Sequence, residues 1–161
     1  MSVLLSFCMM SAEHVSSVWE IEKGSFNSPW SRESFEMELE NDHARYVIAK
    51  EGGEVVGYAG YWRVYDEAHV TNVAIRKDKR GKGYGKALMV RIMDLAAAEG
   101  VGAMTLEVRV SNLTAHRLYD ELGFESAGVR PGYYEDNGED AVIMWNTSYF
   151  RAKAVGRHGI V

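Results

Sequence analysis

The chain has 161 residues, a formal net charge of −5, and apolar and charged fractions of 47% and 25%, values that suit one soluble globular domain with a sizeable core. The acidic balance argues against general nucleic-acid binding, which shows as a basic face, and suits an amine-bearing or basic substrate. Cys8, the single cysteine, rules out an intrachain disulfide; no residue cluster has zinc-ligand spacing, and no apolar run is long enough to span a bilayer.

The apolar run at the start lacks a basic leader, so Val3–Met9 reads as a buried strand, not a signal peptide, and a cytoplasmic protein is expected. Ser11 is placed to cap a helix with Glu13 in its first turn. Val15, Val18, Trp19 and Glu22 follow at helical spacing, the first three facing the core. Gly24–Trp30 interrupts. Pro29 forbids helix at Ser28, and Ser31 caps a second helix through Phe35 and Leu39. Phe26, Pro29 and Trp30 form an apolar surface that either covers the core or walls a substrate cleft.

Tyr46–Lys50 and Val55–Val64 read as strands joined by a Glu51-Gly52-Gly53-Glu54 hairpin turn. After a turn at Asp66-Glu67, His69–Ile75 is a strand running toward Arg80-Gly81-Lys82-Gly83-Tyr84-Gly85-Lys86. An amphipathic helix then shows Leu88, Ile92 and Leu95 on one face, with Arg91, Asp94 and Glu99 toward the other, and Gly100 stops it. Met104–Val110 alternates, placing Thr105, Glu107 and Arg109 on one side. Asn112 caps a further helix carrying His116, Tyr119 and Leu122. Phe124–Val129 and Asp140–Trp145 close the pattern, with Tyr133, Tyr134 and an Asp136-Asn137-Gly138 turn in their connection. The domain spans residues 1–148. Residues 149–161 read as a basic, mobile tail.

The glycine-rich stretch before a helix suits a phosphate or pyrophosphate. Glycine permits positive φ and keeps side chains off an approaching ligand, and the backbone N–H groups sit at the positive end of a helix. It is not a P-loop, because Ala87 follows Lys86. It is not a dinucleotide fingerprint, which needs its third glycine one place beyond Gly85. The order Arg80, Gly83, Gly85 resembles the coenzyme A pyrophosphate loop of the GNAT superfamily of acetyltransferases. The β-α-α-β-β-β-α-β-α-β-β order is similar to that family's fold too: an α/β (α+β) domain with a single mixed, mostly antiparallel sheet flanked by about four helices. The segments Glu67–Ile75, Leu106–Asn112, Leu118–Phe124 and Arg130–Tyr134 resemble, within that superfamily, the RimI-type N-terminal acetyltransferases.

That resemblance implies transfer from acetyl-CoA to a protein N-terminus, that of a small-subunit ribosomal protein, without metal, membrane or direct nucleic-acid contact, by a monomer or weak homodimer. It implies Glu107 as general base and Tyr119 as general acid for the leaving thiolate, with His116 ranked behind. Val73, Ala74 and Ile75 would lie along the acetyl and pantetheine arm. Gly81, Lys82, Gly83, Tyr84, Gly85 and Lys86 would hold the pyrophosphate, and Asn112 would contact the coenzyme as well as cap its helix. Phe26, Pro29, Trp30, Tyr133 and Tyr134 would flank the peptide. By their charge, Glu135, Asp136, Glu139 and Asp140 either form a solvated acidic turn or attract basic residues further along that peptide.

The residues alone leave structural roles open. Glu107 could pair with Arg109, which shares its side of the strand, and Tyr119 could be a core aromatic. The amine chemistry is consistent with a weak base: an α-amine has a pKa of about 7.7–8.0, close to neutral pH, while lysine sits near 10.4 and costs roughly three units, about 4 kcal/mol, to deprotonate there. Other amines remain alternatives (a lysine side chain, a polyamine or an antibiotic), as does a non-catalytic coenzyme-binding module.

Overall fold

The computed structural model describes residues 4–158, with side chains as far as Val155. Its strands are β1 (Leu5–Met9), β2 (Ala44–Glu51), β3 (Glu54–Val64), β4 (Glu67–Ile75), β5 (Ala103–Arg109), β6 (Glu125–Tyr134) and β7 (Glu139–Asn146). Its helices are α1 (Val15–Ser25), α2 (Arg32–Glu38), α3 (Tyr84–Ala98), α4 (Leu113–Glu121) and α5 (Ser148–His158). The strands form one sheet in the order β1-β2-β3-β4-β5-β7-β6. Pairs β1/β2, β2/β3, β5/β7 and β6/β7 are antiparallel and β4/β5 is parallel, giving the mixed, mostly antiparallel sheet read from the sequence. Among the described residues, no helix is long and apolar enough to cross a membrane.

By its internal contacts the chain divides into two units. The first runs to Trp62 and resumes over Thr71–Ile92; the second holds Arg63–Val70 and the chain from Met93 onward. In the first unit, Ser11 precedes a short 3-10 turn at Ala12–His14 that leads into α1, and the Ser11 N–H donates to His14 Nδ1 at 2.9 Å. Ser31 caps α2 by accepting from the Ser34 N–H at 3.1 Å. Val15, Val18 and Ile21 of α1 and Phe35 of α2 are buried against Tyr46 and Ile48 of β2 and Tyr58 of β3.

The β2–β3 hairpin turns through Gly52 at φ +58° and Gly53 at φ +85°. Two successive positive φ angles match the right-handed twist of the strands and favour glycine. Further along, Tyr46 pairs directly with Gly60, and its ring fills the space a Cβ on Gly60 would need, 2.2 Å from the nearest ring carbons.

In the second unit, Met104, Leu106 and Val108 of β5 are buried, together with Met144 of β7, Phe124 and Phe150. The Val101 N–H donates to the Ala96 carbonyl and the Gly100 N–H to that of Ala97, both at 3.0 Å, ending α3 at a glycine with φ +88°.

Two expectations change here. The segment read as a mobile basic tail is helical as far as His158. Phe150 is 1% exposed, the Tyr149 hydroxyl donates to Asp94 Oδ1, and Lys153 lies 3.4 Å from the same carboxylate. One buried aromatic and one bonded tyrosine in consecutive positions anchor this helix without the repeated apolar spacing that sequence reading looks for. Residues 159–161 of that expected tail, and Val3 of the expected first strand, lie outside the described residues. The second change concerns the expected connection between the last two strands. Tyr133 and Tyr134 belong to β6 itself, which continues past Pro131 with Gly132 at φ +63° and register breaks between Ser126/Gly128 and Arg130/Tyr134.

Replacing Gly60 with valine forces a side chain into the Tyr46 ring. Overpacking of this kind costs about 1–3 kcal/mol, so thermal unfolding should shift down by at least a few degrees, read by differential scanning calorimetry. Gly60→Val combined with Tyr46→Ala should recover part of that loss relative to the sum of the single changes.

Candidate active site

Each unit carries its own set of the residues singled out in the sequence. In the first unit, β4 ends at Ile75 and the chain makes a 3-10 turn over Lys77–Lys79 before the glycine-rich stretch. Gly81 and Gly83 have φ +78° and +82°, and a Cβ on either meets no heavy atom within 4 Å. Backbone conformation therefore favours glycine at these positions, and the surface over them stays open. Gly85 differs from this expectation: α3 begins at Tyr84, so Gly85 lies in its first turn.

Side chains fix the two ends of the stretch. Arg80 donates from Nε to the Ile75 carbonyl at 2.9 Å and from its guanidinium to Ser25 Oγ at 3.1 Å. Tyr84 donates its hydroxyl to Glu51 Oε2 at 2.5 Å, and Lys79 Nζ reaches Glu51 Oε1 at 3.1 Å. The Tyr84 hydrogen bond, with that of Lys79, holds the Glu51 carboxyl below its ordinary range. The same bond pushes the Tyr84 phenol up. Arg76 bridges Asp78 at 2.7 Å and Glu54 at 3.3 Å. Lys82 and Lys86 are exposed. The result is a rigidly framed helix N-terminus with cations around it, chemistry suited to a pyrophosphate.

Val73 and Ile75 are half-buried and Ala74 is buried. They lie beyond His69, the last β4 residue among the three pairs Glu67/Ala103, Ala68/Met104 and His69/Thr105 that join β4 to β5. Phe26 and Pro29 are exposed, whereas Trp30 is half-buried, its ring centroid 5.4 Å from that of Phe35 and 6.3 Å from that of Trp62. Trp30 therefore covers the core, and Phe26 and Pro29 present apolar surface outward.

The second unit gathers Glu107, Arg130, Tyr133 and Tyr134. Glu107 pairs with Arg130 at 3.3 Å, not with Arg109. Period two does put 107 and 109 on one side, but β7 brings β6 alongside: Ile143 is opposite both Glu107 and Gly128, and Arg130 lies two residues on. Arg109 is committed elsewhere, to Asp136 at 2.8 Å, to Glu139 at 3.2 Å, and to the face of Tyr134 at 4.0 Å. The rings of Tyr133 and Tyr134 meet edge-on at 5.1 Å. Burial, with the Glu107 charge, raises the Tyr133 phenol. Burial likewise lifts that of Tyr134 to about 12, against the opposing effect of Arg109.

Tyr119 is positioned by the end of its helix. The Phe124 N–H donates to the Tyr119 carbonyl at 2.9 Å and the Gly123 N–H to that of Asp120 at 3.1 Å, with Gly123 at φ +94°. In this stop motif the residue after the glycine packs on the residue whose carbonyl it bonds. Here that contact is the Phe124 ring 5.7 Å from the Tyr119 ring. Burial, with a contribution from Tyr134, raises the Tyr119 phenol to about 12. It stays protonated throughout the working range and is a hydrogen-bond donor before it is a proton donor. The His116 ring lies 3.0 Å from the Arg109 carbonyl through Nε2, which fits a structural role. Asn112 accepts from the Ala115 N–H at 3.1 Å, so its capping role is present.

The acidic turn is less available than its sequence suggests. Asp136 and Glu139 hold Arg109, Glu139 also accepts the Ser111 N–H at 2.8 Å, and Asp140 accepts the Gly132 N–H at 2.8 Å. Glu22, which the spacing sets on the stripe of Val15 and Val18 but to which the sequence gives no role, is itself buried, at 1% exposure. Among the described residues, no group of three or more His, Cys, Asp or Glu is placed to hold a metal ion.

The sequence model of the acetyltransferase (GNAT) family matches residues 15–124. A Bacillus subtilis (strain 168) protein, provisionally named [ribosomal protein bS18]-alanine N-acetyltransferase, is 44% identical over 86% of this chain and 92% of its own length. The Escherichia coli (strain K12) [ribosomal protein bS18]-alanine N-acetyltransferase is 36% identical over 78% of this chain and 86% of its own. The crystal structure of the ribosomal-protein-S18-alanine N-acetyltransferase from Escherichia coli superposes with a TM-score of 0.82 at 30% identity, covering 89% of this chain and 93% of that one. The chain belongs to the GNAT acetyltransferase family. It is an N-acetyltransferase, and its relatives named above are those of ribosomal protein alanine.

Glu139 gives this arrangement a pH signature. Its hydrogen bonds with Ser111, and the neighbouring Arg109, depress its carboxyl to about 2. A depressed folded-state value contributes stability above the unfolded value and loses it as pH falls through the folded one. The Arg109–Glu139–Ser111 link should therefore weaken between about pH 4.5 and pH 2. Acid unfolding followed by circular dichroism should begin at higher pH in Glu139→Gln than in the parent protein.

Proposed function

We propose that this enzyme transfers the acetyl group of acetyl-CoA to the N-terminal α-amine of a protein, and that its substrate is the N-terminal alanine of a small-subunit ribosomal protein. The observation that carries this is the similarity, over most of both chains, to enzymes named for that reaction. The cluster of Glu107, Tyr133 and Tyr134 supports it: a half-buried carboxylate beside amphipathic aromatic rings suits an incoming peptide start.

In this reading the loop Gly81, Lys82, Gly83, Tyr84, Gly85 and Lys86 holds the coenzyme pyrophosphate, and Asn112 contacts the coenzyme while capping α4. The backbone of Val73, Ala74 and Ile75 pairs with the pantetheine arm, one N–H polarising the thioester carbonyl. Phe26, Pro29, Trp30, Tyr133 and Tyr134 flank the acceptor peptide. Glu107 accepts the proton of the α-amine, directly or through water, as nitrogen attacks the carbonyl carbon. The C–S bond then breaks, and the thiolate accepts a hydrogen bond from the Tyr119 hydroxyl and takes up its proton, which the phenol recovers from solvent. With its phenol near 12, Tyr119 helps mainly by stabilising the developing thiolate. Transfer is direct, in a ternary complex, within a cytoplasmic protein.

Glu107→Gln should lower turnover by about 10²-fold or more, the usual range for general-base loss. Tyr119→Phe should lower it about tenfold, the worth of one hydrogen bond. Both should leave acetyl-CoA affinity near the parent value by calorimetry; a collapse of that affinity would overturn the assigned roles. Thiol release should be seen with free Ala-starting peptides. Acetylation of N-terminally blocked, lysine-containing peptides instead would overturn the α-amine assignment.

A further inference from the structure

Glu22 is the most deeply buried charged side chain in the first unit whose role is still open, at 1% exposure. It accepts three donors from three different elements. Oε1 takes the Tyr58 hydroxyl of β3 and the Asn72 amide of β4, the latter at 3.0 Å. Oε2 takes the backbone N–H of Trp30 at 2.8 Å. All three donors are neutral. A buried carboxylate held this way is a poor choice for stability alone, since apolar residues of similar volume do as well or better.

The network has a further cost. Asn72 is 6% exposed, and with its amide aimed at Glu22 its Oδ1 is buried with no hydrogen-bond partner. Turning the amide over would set oxygen against oxygen, so the carboxylate forces this orientation. Leaving a buried acceptor unpaired costs stability, so this network is not arranged for stability alone. Two of the elements so tied are the Phe26–Trp30 loop and β4 at the residue immediately before Val73–Ile75.

We propose that Glu22 is a positioning residue for the acceptor: through Trp30 it locks the Phe26–Trp30 loop to β4 and so sets how the peptide start is held. This rests on the reading of that loop as a wall of the acceptor site. The arms of the network are separable. In Glu22→Leu no acceptor remains for the Trp30 N–H, so the loop is released. In Tyr58→Phe, Oε1 keeps Asn72, Oε2 keeps Trp30, and the loop stays locked.

The experiment compares the two variants and the parent enzyme for Tm, acetyl-CoA affinity and kinetics with a free Ala-starting peptide. Both variants should lose Tm and keep coenzyme affinity. Only Glu22→Leu should raise the peptide KM, by about tenfold, with kcat changed less. Equal peptide KM in the two variants, at comparable Tm loss, would overturn the proposal. Amide hydrogen exchange on the parent protein reads the same lock without any substitution. The Trp30 N–H should exchange at least tenfold more slowly than the amide of Ser28; equal exchange would overturn it. If the parent enzyme ignores free N-termini, the proposed activity fails, and a protected Trp30 amide still identifies the lock.

Discussion

A carboxylate taken out of water must have its lone pairs satisfied, and around Glu22 that requirement organises much of the first unit. The donors come from β3, from β4 and from the backbone between α1 and α2. Apolar packing of Val15, Val18, Ile21 and Phe35 would hold α1 and α2 on the sheet in many slightly different settings, because burial is not directional. Three hydrogen bonds to one fixed group select among them. The Tyr46 ring over Gly60 restricts β2 and β3 further, since the observed register sets the aromatic over a residue with no side chain.

The second unit uses another organising group with the opposite charge. Arg109 extends from the end of β5 to Asp136 and Glu139, and lies over Tyr134. That commitment takes Arg109 away from Glu107 and leaves the carboxylate to Arg130, which is itself largely exposed. Glu107 thus has a partner that water can reach. Tyr119 reaches its place by a different route, through the termination geometry of α4.

Much of the fold was legible because local signals agreed with one another. Ser31 before α2, Gly52-Gly53 between β2 and β3, Gly100 after α3 and Asn112 before α4 each mark a boundary by a mechanism that acts within a few residues. What sequence reading lost was decided at longer range. The partner of Glu107 depends on the register of β6 against β7, and the burial of Glu22 on donors 8, 36 and 50 residues away. The helix after β7 was missed because it is anchored by Tyr149 and Phe150, adjacent residues that leave no periodic trace. Of the candidate site, the glycine loop was readable because positive φ selects glycine at Gly81 and Gly83. The roles of Glu107 and Tyr119 rested on resemblance, since a strand glutamate and a helix tyrosine carry no chemical mark of their own.

Tyr133 and Tyr134 sit on β6, the last strand in the sheet order. A terminal strand offers its unpaired main chain to any other strand that comes near, its own kind included, and its exposed run of residues would make it an inviting template. Pro131 has no N–H to offer, Gly132 turns the backbone out of the extended conformation, and the ladder with β7 breaks on both sides of Gly128–Arg130. The irregularity that carries the two tyrosines therefore also spoils the edge as a seed for sheet growth. Straightening β6 to build a more regular scaffold would risk trading a self-limiting edge for an aggregating one.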